Sequence, residues 1–221
     1  QNLAAVEFKM KPMRCELNFL SKSDGSAILS QGKQTLSFIT VSVNGPLDIK
    51  MQSQSIEKST LEVLFSSKGG KPSVGDRYKE NIIRQTCETA LLGILYPRTG
   101  ITVTVQELED YGGLLACCVN CVCLALLNSG LSMRCVVAAV SCAVDEAGEI
   151  ILDPTKAQLE NARATMTFVF DSRERNLVTG FTEGSFSEDT YREAMQRARA
   201  ASSLIFAFYR DSVAKYSSVI G

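Results

Sequence analysis

With 221 residues, 45% of them hydrophobic and 21% charged, the chain has the composition of a globular protein and can bury a core without a disulfide or metal staple. Its 23 basic and 24 acidic residues nearly cancel, which excludes a global field that would attract nucleic acid or an anionic membrane; such binding has to come from a local patch. Histidine is absent, and with it Ser-His-Asp and Cys-His hydrolysis, His-ligated zinc and imidazole proton shuttling. No apolar run reaches the roughly 18 residues of a membrane span, and no basic-then-apolar leader opens the sequence, so a soluble, unsecreted chain with no membrane partner is expected.

Residues 1–11 carry little pattern and read as a tail. Residues 13–20 alternate loosely and end at the turn signal Ser23-Asp24-Gly25-Ser26. Two strands, 27–30 and 35–43, are predicted around Gln31-Gly32-Lys33, the second stopping at Asn44-Gly45-Pro46. A further strand, 60–65, alternates at Leu61, Val63 and Phe65 and runs into a glycine-rich loop, 66–75. The next segment, 76–95, places Ile82, Ile83, Cys87, Leu91 and Ile94 at helical spacing until Pro97 stops it, and a strand, 101–108, follows.

After an acidic turn, 107–110, the pair Gly112-Gly113 opens a helix, 114–127, closed by Asn128-Ser129-Gly130. This helix is apolar nearly all round, so it should lie at the centre of the molecule. A Gly-Gly turn at a helix start lets backbone N–H groups converge on a phosphate, because the first turn leaves its donors unpaired and the dipole favours an anion. Here Leu114 and Leu115 follow, with neither a hydroxyl nor a positive charge. Of the eight cysteines, at 15, 87, 117, 118, 121, 123, 135 and 142, four crowd into this one helix. They are expected to be reduced. Cys118-Val119-Asn120-Cys121 has the spacing of metal ligands, but no second pair and no histidine accompanies it, so the thiols read as small apolar core groups.

The second half gives a strand, 133–144, a turn, 145–148, and a short return strand, 149–152. A polar segment, 153–162, leads to a hairpin of 164–171 and 177–183. Ser187 to Thr190 is an N-cap, and the last helix runs to about residue 215 with Tyr191, Met195, Ala198, Ser202, Ile205 and Tyr209 in register, leaving 216–221 as a tail. Strands followed by helices, twice over, imply two β-rich halves on a shared helical layer: an α+β (mixed α/β) protein, with 12–215 read as a single domain.

Asp24-Gly25-Ser26, Gly32, residues 35–43, Asn44-Gly45-Pro46, Tyr96-Pro97-Arg98-Thr99, residues 110–116 and Ile151-Leu152-Asp153-Pro154-Thr155 follow one another as they do in RNase PH-like proteins. The resemblance extends over about residues 12–213 and is closest to the eukaryotic branch, the ring subunits of the RNA exosome. It implies the RNase PH fold, two β-α-β halves of the ribosomal protein S5 domain 2-like type, with dimers that build six-membered rings. Active members cut RNA from its 3′ end with phosphate in place of water. That chemistry needs a phosphate cradle, basic residues on the RNA backbone and a pair of carboxylates on a divalent metal.

At the phosphate cradle and at the carboxylate pair the sequence departs from that pattern. The family's Thr and Arg after the glycine pair are Leu114 and Leu115 here, which removes charge-assisted hydrogen bonds worth about 1.5–3 kcal/mol each. Asp153 matches the first acid, whereas the second falls on Leu159, with Glu160 one position late and rotated by about 100° around a helix. The family places RNA-holding arginines on the helix that carries Arg77 and Arg84, within a cluster of Lys58, Lys68, Lys71 and Lys79, though Glu57, Glu62, Asp76 and Glu80 are interleaved and a plain solvated face reads as well. Arg98, in a turn after Pro97, is the third candidate RNA contact.

The resemblance thus implies a non-catalytic ring subunit supporting 3′-to-5′ RNA processing and degradation. No cofactor is required on that view; Mg2+, held by Asp153 and Glu160, and phosphate would enter only if the site were active. Other RNase PH-like subunits, cap proteins and single-stranded RNA are the implied partners, a homodimer is implied for the isolated chain, and nucleus, nucleolus and cytoplasm are the implied locations. Two alternatives stay open: residual phosphorolysis or metal-dependent nuclease activity through Asp153 and Glu160, and a free homodimer serving a DNA nuclease.

Overall fold

The computed structural model of the protein describes residues 10–32, 36–70 and 73–220. Its first sheet comprises β1 (Met13–Leu17), β2 (Gly25–Gln31), β3 (Ser37–Asp48), β4 (Thr60–Ser66) and β5 (Thr99–Glu109), in the order β1-β2-β3-β5-β4. All pairs are antiparallel except β4 with β5. A parallel pair needs a long crossover, and α1 (Val74–Ala90) supplies it, packed on β4. The register stacks Val41 beside Val105 and Val43 beside both Gly25 and Val103, so the apolar alternation of each strand falls on one buried face.

That face is covered by α2 (Leu114–Ser129), whose other side meets the second sheet: β6 (Val137–Val144), β7 (Ile150–Leu152), β8 (Ala164–Asp171) and β9 (Leu177–Gly184), in the order β7-β6-β8-β9. A one-turn helix, α3 (Lys156–Glu160), joins β7 to β8, and α4 (Glu188–Ile220) lies across β6, β7 and β8. Every residue of β6 is buried because α2 covers one face and α4 the other, which is why that strand reads as continuous apolar sequence without alternation. The central position expected for the apolar helix is observed: Ala116 through Leu126 of α2 are all buried.

Four boundaries differ by four or five residues from the sequence reading. β3 does not stop at Asn44 but continues through Gly45-Pro46 to Asp48, a register shift between Asn44 and Leu47 absorbing the proline, which has no N–H to donate. α1 ends at Ala90, not near 95; Leu91 turns extended and bridges Met133, and a 3-10 turn spans Gly93–Leu95. Ile94, read as a core position, is 69% exposed. The strand predicted from 133 begins at Val137, since Met133 has only that isolated bridge. α4 runs to Ile220, five residues beyond its expected end at 215. Lys33 and Thr35 of the predicted β2–β3 connection, Lys71, and residues 1–9 of the N-terminal tail lie outside the described residues.

Candidate functional site

The Gly-Gly turn is held from two sides. Ser37 Oγ donates to the Gly112 carbonyl at 3.2 Å and accepts the Tyr111 N–H at 3.1 Å, which ties the turn to the start of β3. Lys156 N–H donates to the Tyr111 carbonyl at 3.0 Å, which ties it to α3. Both glycines are obligatory here. Gly112 has φ 115 and a Cβ would lie 2.5 Å from the Pro154 carbonyl oxygen, while Gly113 has φ 68 and a Cβ would lie 2.6 Å from Ser141 Oγ. One of the turn's donors is already engaged, for Gly112 N–H donates to Asp110 Oδ1 at 2.9 Å. Leu114 and Leu115, the first residues of α2, are half-buried and pack against the central core.

Asp153 is brought to this helix end, its Oδ1 3.9 Å from the point where a Gly113 Cβ would stand. Its side chain is 3% exposed. Burial of a carboxylate demands partners, and three are present: Lys11 N–H at 2.9 Å, Gln31 Nε2 at 2.8 Å and Lys11 Nζ at 3.5 Å. Lys11 Nζ also donates to the Pro154 carbonyl at 2.8 Å. The carboxylate predicted as a metal ligand thus ties the chain before β1 to β2 and to the β7–α3 loop. These residues do not fit a divalent cation, since a metal at Asp153 would have to displace Lys11. Glu160, its predicted co-ligand, is exposed at the last position of α3 and makes no ion pair among the described residues. Among the described residues no three Cys, Asp or Glu side chains group as a metal site either, the Cys118–Cys121 pair included.

The candidate RNA arginines lie elsewhere and divide into two kinds. Arg77 and Arg84 line a cleft of about 730 Å3 between α1 and the β4–β5 edge, with Lys50, Asp48, Glu62 and Glu80 also in its wall. Arg84 is engaged: it donates to Asn81 Oδ1 at 2.7 Å and pairs with Glu88 at 3.7 Å, a carboxylate that Lys58 shares at 3.2 Å. Lys68 lies 3.9 Å from Glu109, and Lys79 lies 3.6 Å from Asp76 and over the Phe65 ring. Arg77 is exposed, and its guanidinium makes no ion pair or hydrogen bond among the described residues. Arg98 is likewise exposed and uncommitted, held in a left-handed turn at φ 61 by its own N–H, which donates to Ser55 O at 3.1 Å.

Residues 9–132 match the 3′ exoribonuclease family, domain 1, and residues 135–201 match domain 2 of the same family, the RNase PH domains. The chain belongs to the RNase PH family. Relatives of this RNase PH chain include the exosome complex exonuclease RRP46 homolog of Arabidopsis thaliana, 28% identical over 96% of the chain and 95% of the relative. The exosome complex component RRP46 homolog of Caenorhabditis elegans is 36% identical over 68% of the chain and 67% of the relative. The crystal structure of rice (Oryza sativa) Rrp46 matches with a TM-score of 0.87 at 30% identity, covering 95% of this chain and 97% of that one. A chain of the Archaeoglobus fulgidus exosome with RNA bound to the active site matches at 0.77 and 15% identity over 91% and 89%, a likeness of fold. The RNase PH fold implied by the spaced motifs, with its mixed α and β content, is therefore the fold of this chain.

Sequence reasoning missed Asn120, which lies in the middle of the apolar α2. Its Nδ2 donates to Ala139 O at 2.9 Å, and its Oδ1 accepts Ala139 N–H at 2.7 Å and the Tyr209 hydroxyl at 2.9 Å. A lone amide in an apolar helix was the available signal, since a buried amide has to be satisfied.

Proposed function

We propose that this chain is a ring subunit of an RNA exosome, of the RRP46 type also called exosome component 5, and that it contributes assembly and RNA contact rather than phosphorolysis. The observation that carries the non-catalytic half is the state of Asp153: its carboxylate is buried against Lys11 and Gln31 beside a helix end whose first residues are core-packed leucines. Such a site offers an incoming phosphate no side-chain cation within the turn, and backbone N–H groups alone hold an anion weakly. The RRP46 names of the relatives and the 0.87 TM-score to rice Rrp46 support the ring-subunit half. Other RNase PH-like subunits, cap proteins and single-stranded RNA are its proposed partners, a homodimer is proposed for the isolated chain, and nucleus, nucleolus and cytoplasm for the complex.

The test is a 3′-extended RNA incubated with the purified chain, with and without inorganic phosphate and Mg2+. No phosphate-dependent release of nucleoside diphosphates is expected. Phosphorolysis that disappears in Asp153→Asn would overturn the non-catalytic reading. For assembly, mass measurement on the chain mixed with related ring subunits should show hetero-oligomers replacing the homodimer; a homodimer that ignores those subunits would exclude the ring.

A further inference from the structure

A second cleft, of about 540 Å3, opens near the C-terminal end of α2, the opposite end from the Gly-Gly turn, between the C-terminal half of α4 and the β8–β9 turn. Its volume lies in the range of sites for compact ligands, about 300–1,000 Å3. Leu127, Val136 and Phe206, all half-buried, form an apolar floor, together with the ring of Tyr209. Tyr209 is 3% exposed and its hydroxyl turns into the core, where it donates to Asn120 at 2.9 Å, so only ring carbon is left at the cleft floor.

Among the described residues two cations, Arg175 and Arg210, line this floor and no acidic residue does. Both are exposed, and neither guanidinium has an ion pair or hydrogen bond among the described residues. The acids of the adjoining turn are committed within it. Asp171 Oδ1 accepts the N–H groups of Glu174 at 3.2 Å and Asn176 at 2.9 Å, and Asn176 Nδ2 donates to Glu174 Oε2 at 2.9 Å. Arg199 donates to the Glu174 carbonyl at 2.9 Å and Ser172 Oγ accepts Val136 N–H at 3.2 Å, which fasten the turn to α4 and to the approach to β6. Arg175 therefore stands on a fixed turn, at a left-handed φ of 56, without a counter-ion among the described residues.

An apolar, partly aromatic floor with two unneutralised guanidinium groups at its edge matches one chemistry. We propose that this cleft binds a compact aromatic anion as a free small molecule, its ring against Phe206 and Tyr209 and its phosphate, sulfonate or carboxylate held by Arg175 and Arg210. The site is independent of the Gly-Gly turn and of Arg77 and Arg98.

The probe is 1-anilinonaphthalene-8-sulfonate titrated into the full chain by fluorescence, beside its uncharged counterpart N-phenyl-1-naphthylamine. Saturable one-to-one binding of the sulfonate is expected, at least tenfold tighter than that of the neutral dye. Arg175→Gln with Arg210→Gln should remove that preference while the neutral dye binds as before, and the corresponding double Lys variant, which keeps the charge, should retain it. Equal affinity for the two dyes overturns the proposal, as does a sulfonate preference that survives the double Gln variant or follows Arg77→Gln with Arg98→Gln instead.

Discussion

Asn120 acts as a piece of strand inserted from a helix. By taking both the N–H and the C=O of Ala139 it pairs with β6 as a neighbouring peptide would, and its oxygen also holds Tyr209 of α4. Asn120→Ala leaves these groups buried without partners, so a loss of about 3 kcal/mol in urea unfolding is expected, larger than for a surface change. The cysteines around it are the opposite case, polar in name and apolar in use. Burial pushes the thiols of Cys117, Cys123 and Cys142 up to about 12 and those of Cys118 and Cys121 well above the ordinary value. At pH 8 the thiolate fraction at a pKa of about 12 is on the order of one in ten thousand. Iodoacetamide on the native protein should therefore modify the half-buried Cys15 and Cys135 and spare the buried cysteines until the chain is unfolded, as read by mass spectrometry of peptides. The same shifts set a sign for pH. The native state disfavours thiolate, so its advantage is complete below the unfolded thiol value of about 8.5 and is lost as pH rises from there toward about 12.

At the scale of elements, α1 is specified at one end and not at the other. Its start is a capping box: Ser73 Oγ accepts Asp76 N–H at 3.1 Å while Asp76 accepts Ser73 N–H at 2.9 Å. Those bonds, the Ser73 backbone N–H first, hold the Asp76 carboxyl below the usual range despite its burial. A depressed value means stability that is present above the unfolded carboxylate value of about 3.9 and lost as pH falls through the folded one. Ser73→Ala should cost about 1 kcal/mol in thermal or urea unfolding, and Asp76→Asn should flatten the acid limb of the stability profile. The other end has no such signal. Leu91 and Ile94 continue the helical spacing of Ile83 and Cys87, but Leu91 N–H closes the last helical bond on Cys87 O and the chain then extends to Met133. A partner 42 residues away in sequence decides where this helix stops. Its spacing alone could not.

For the whole molecule, α2 lies between two sheets that share one core, and the functional surface is what that arrangement leaves outside. On the proposed function, RNA contact falls to Arg77 and Arg98, whose guanidinium groups make no ion pair or hydrogen bond among the described residues. Arg77→Ala and Arg98→Ala should each lower affinity for single-stranded RNA and reduce the salt slope by roughly 0.7, measured by fluorescence anisotropy across a salt series. Arg84→Ala should change it less, because Asn81 and Glu88 already hold that guanidinium. A slope that follows Arg84 and ignores Arg77 would refute this division. The sequence by itself determined the strands and helices that carry strong periodicity or caps, the central place of 114–127 and the absence of a hydroxyl or cation at Leu114 and Leu115, because these depend on residue type and local spacing, while its ordered motifs carried the resemblance to the family. Only the tertiary structure decided that Asp153 is occupied by Lys11 and Gln31, that β3 passes through Pro46 alongside β5, and that Arg175 and Arg210 line one cleft. In each case the deciding partner is brought in by folding from a distant or separately placed part of the chain, and hydrogen bonds and charges act on distance in space.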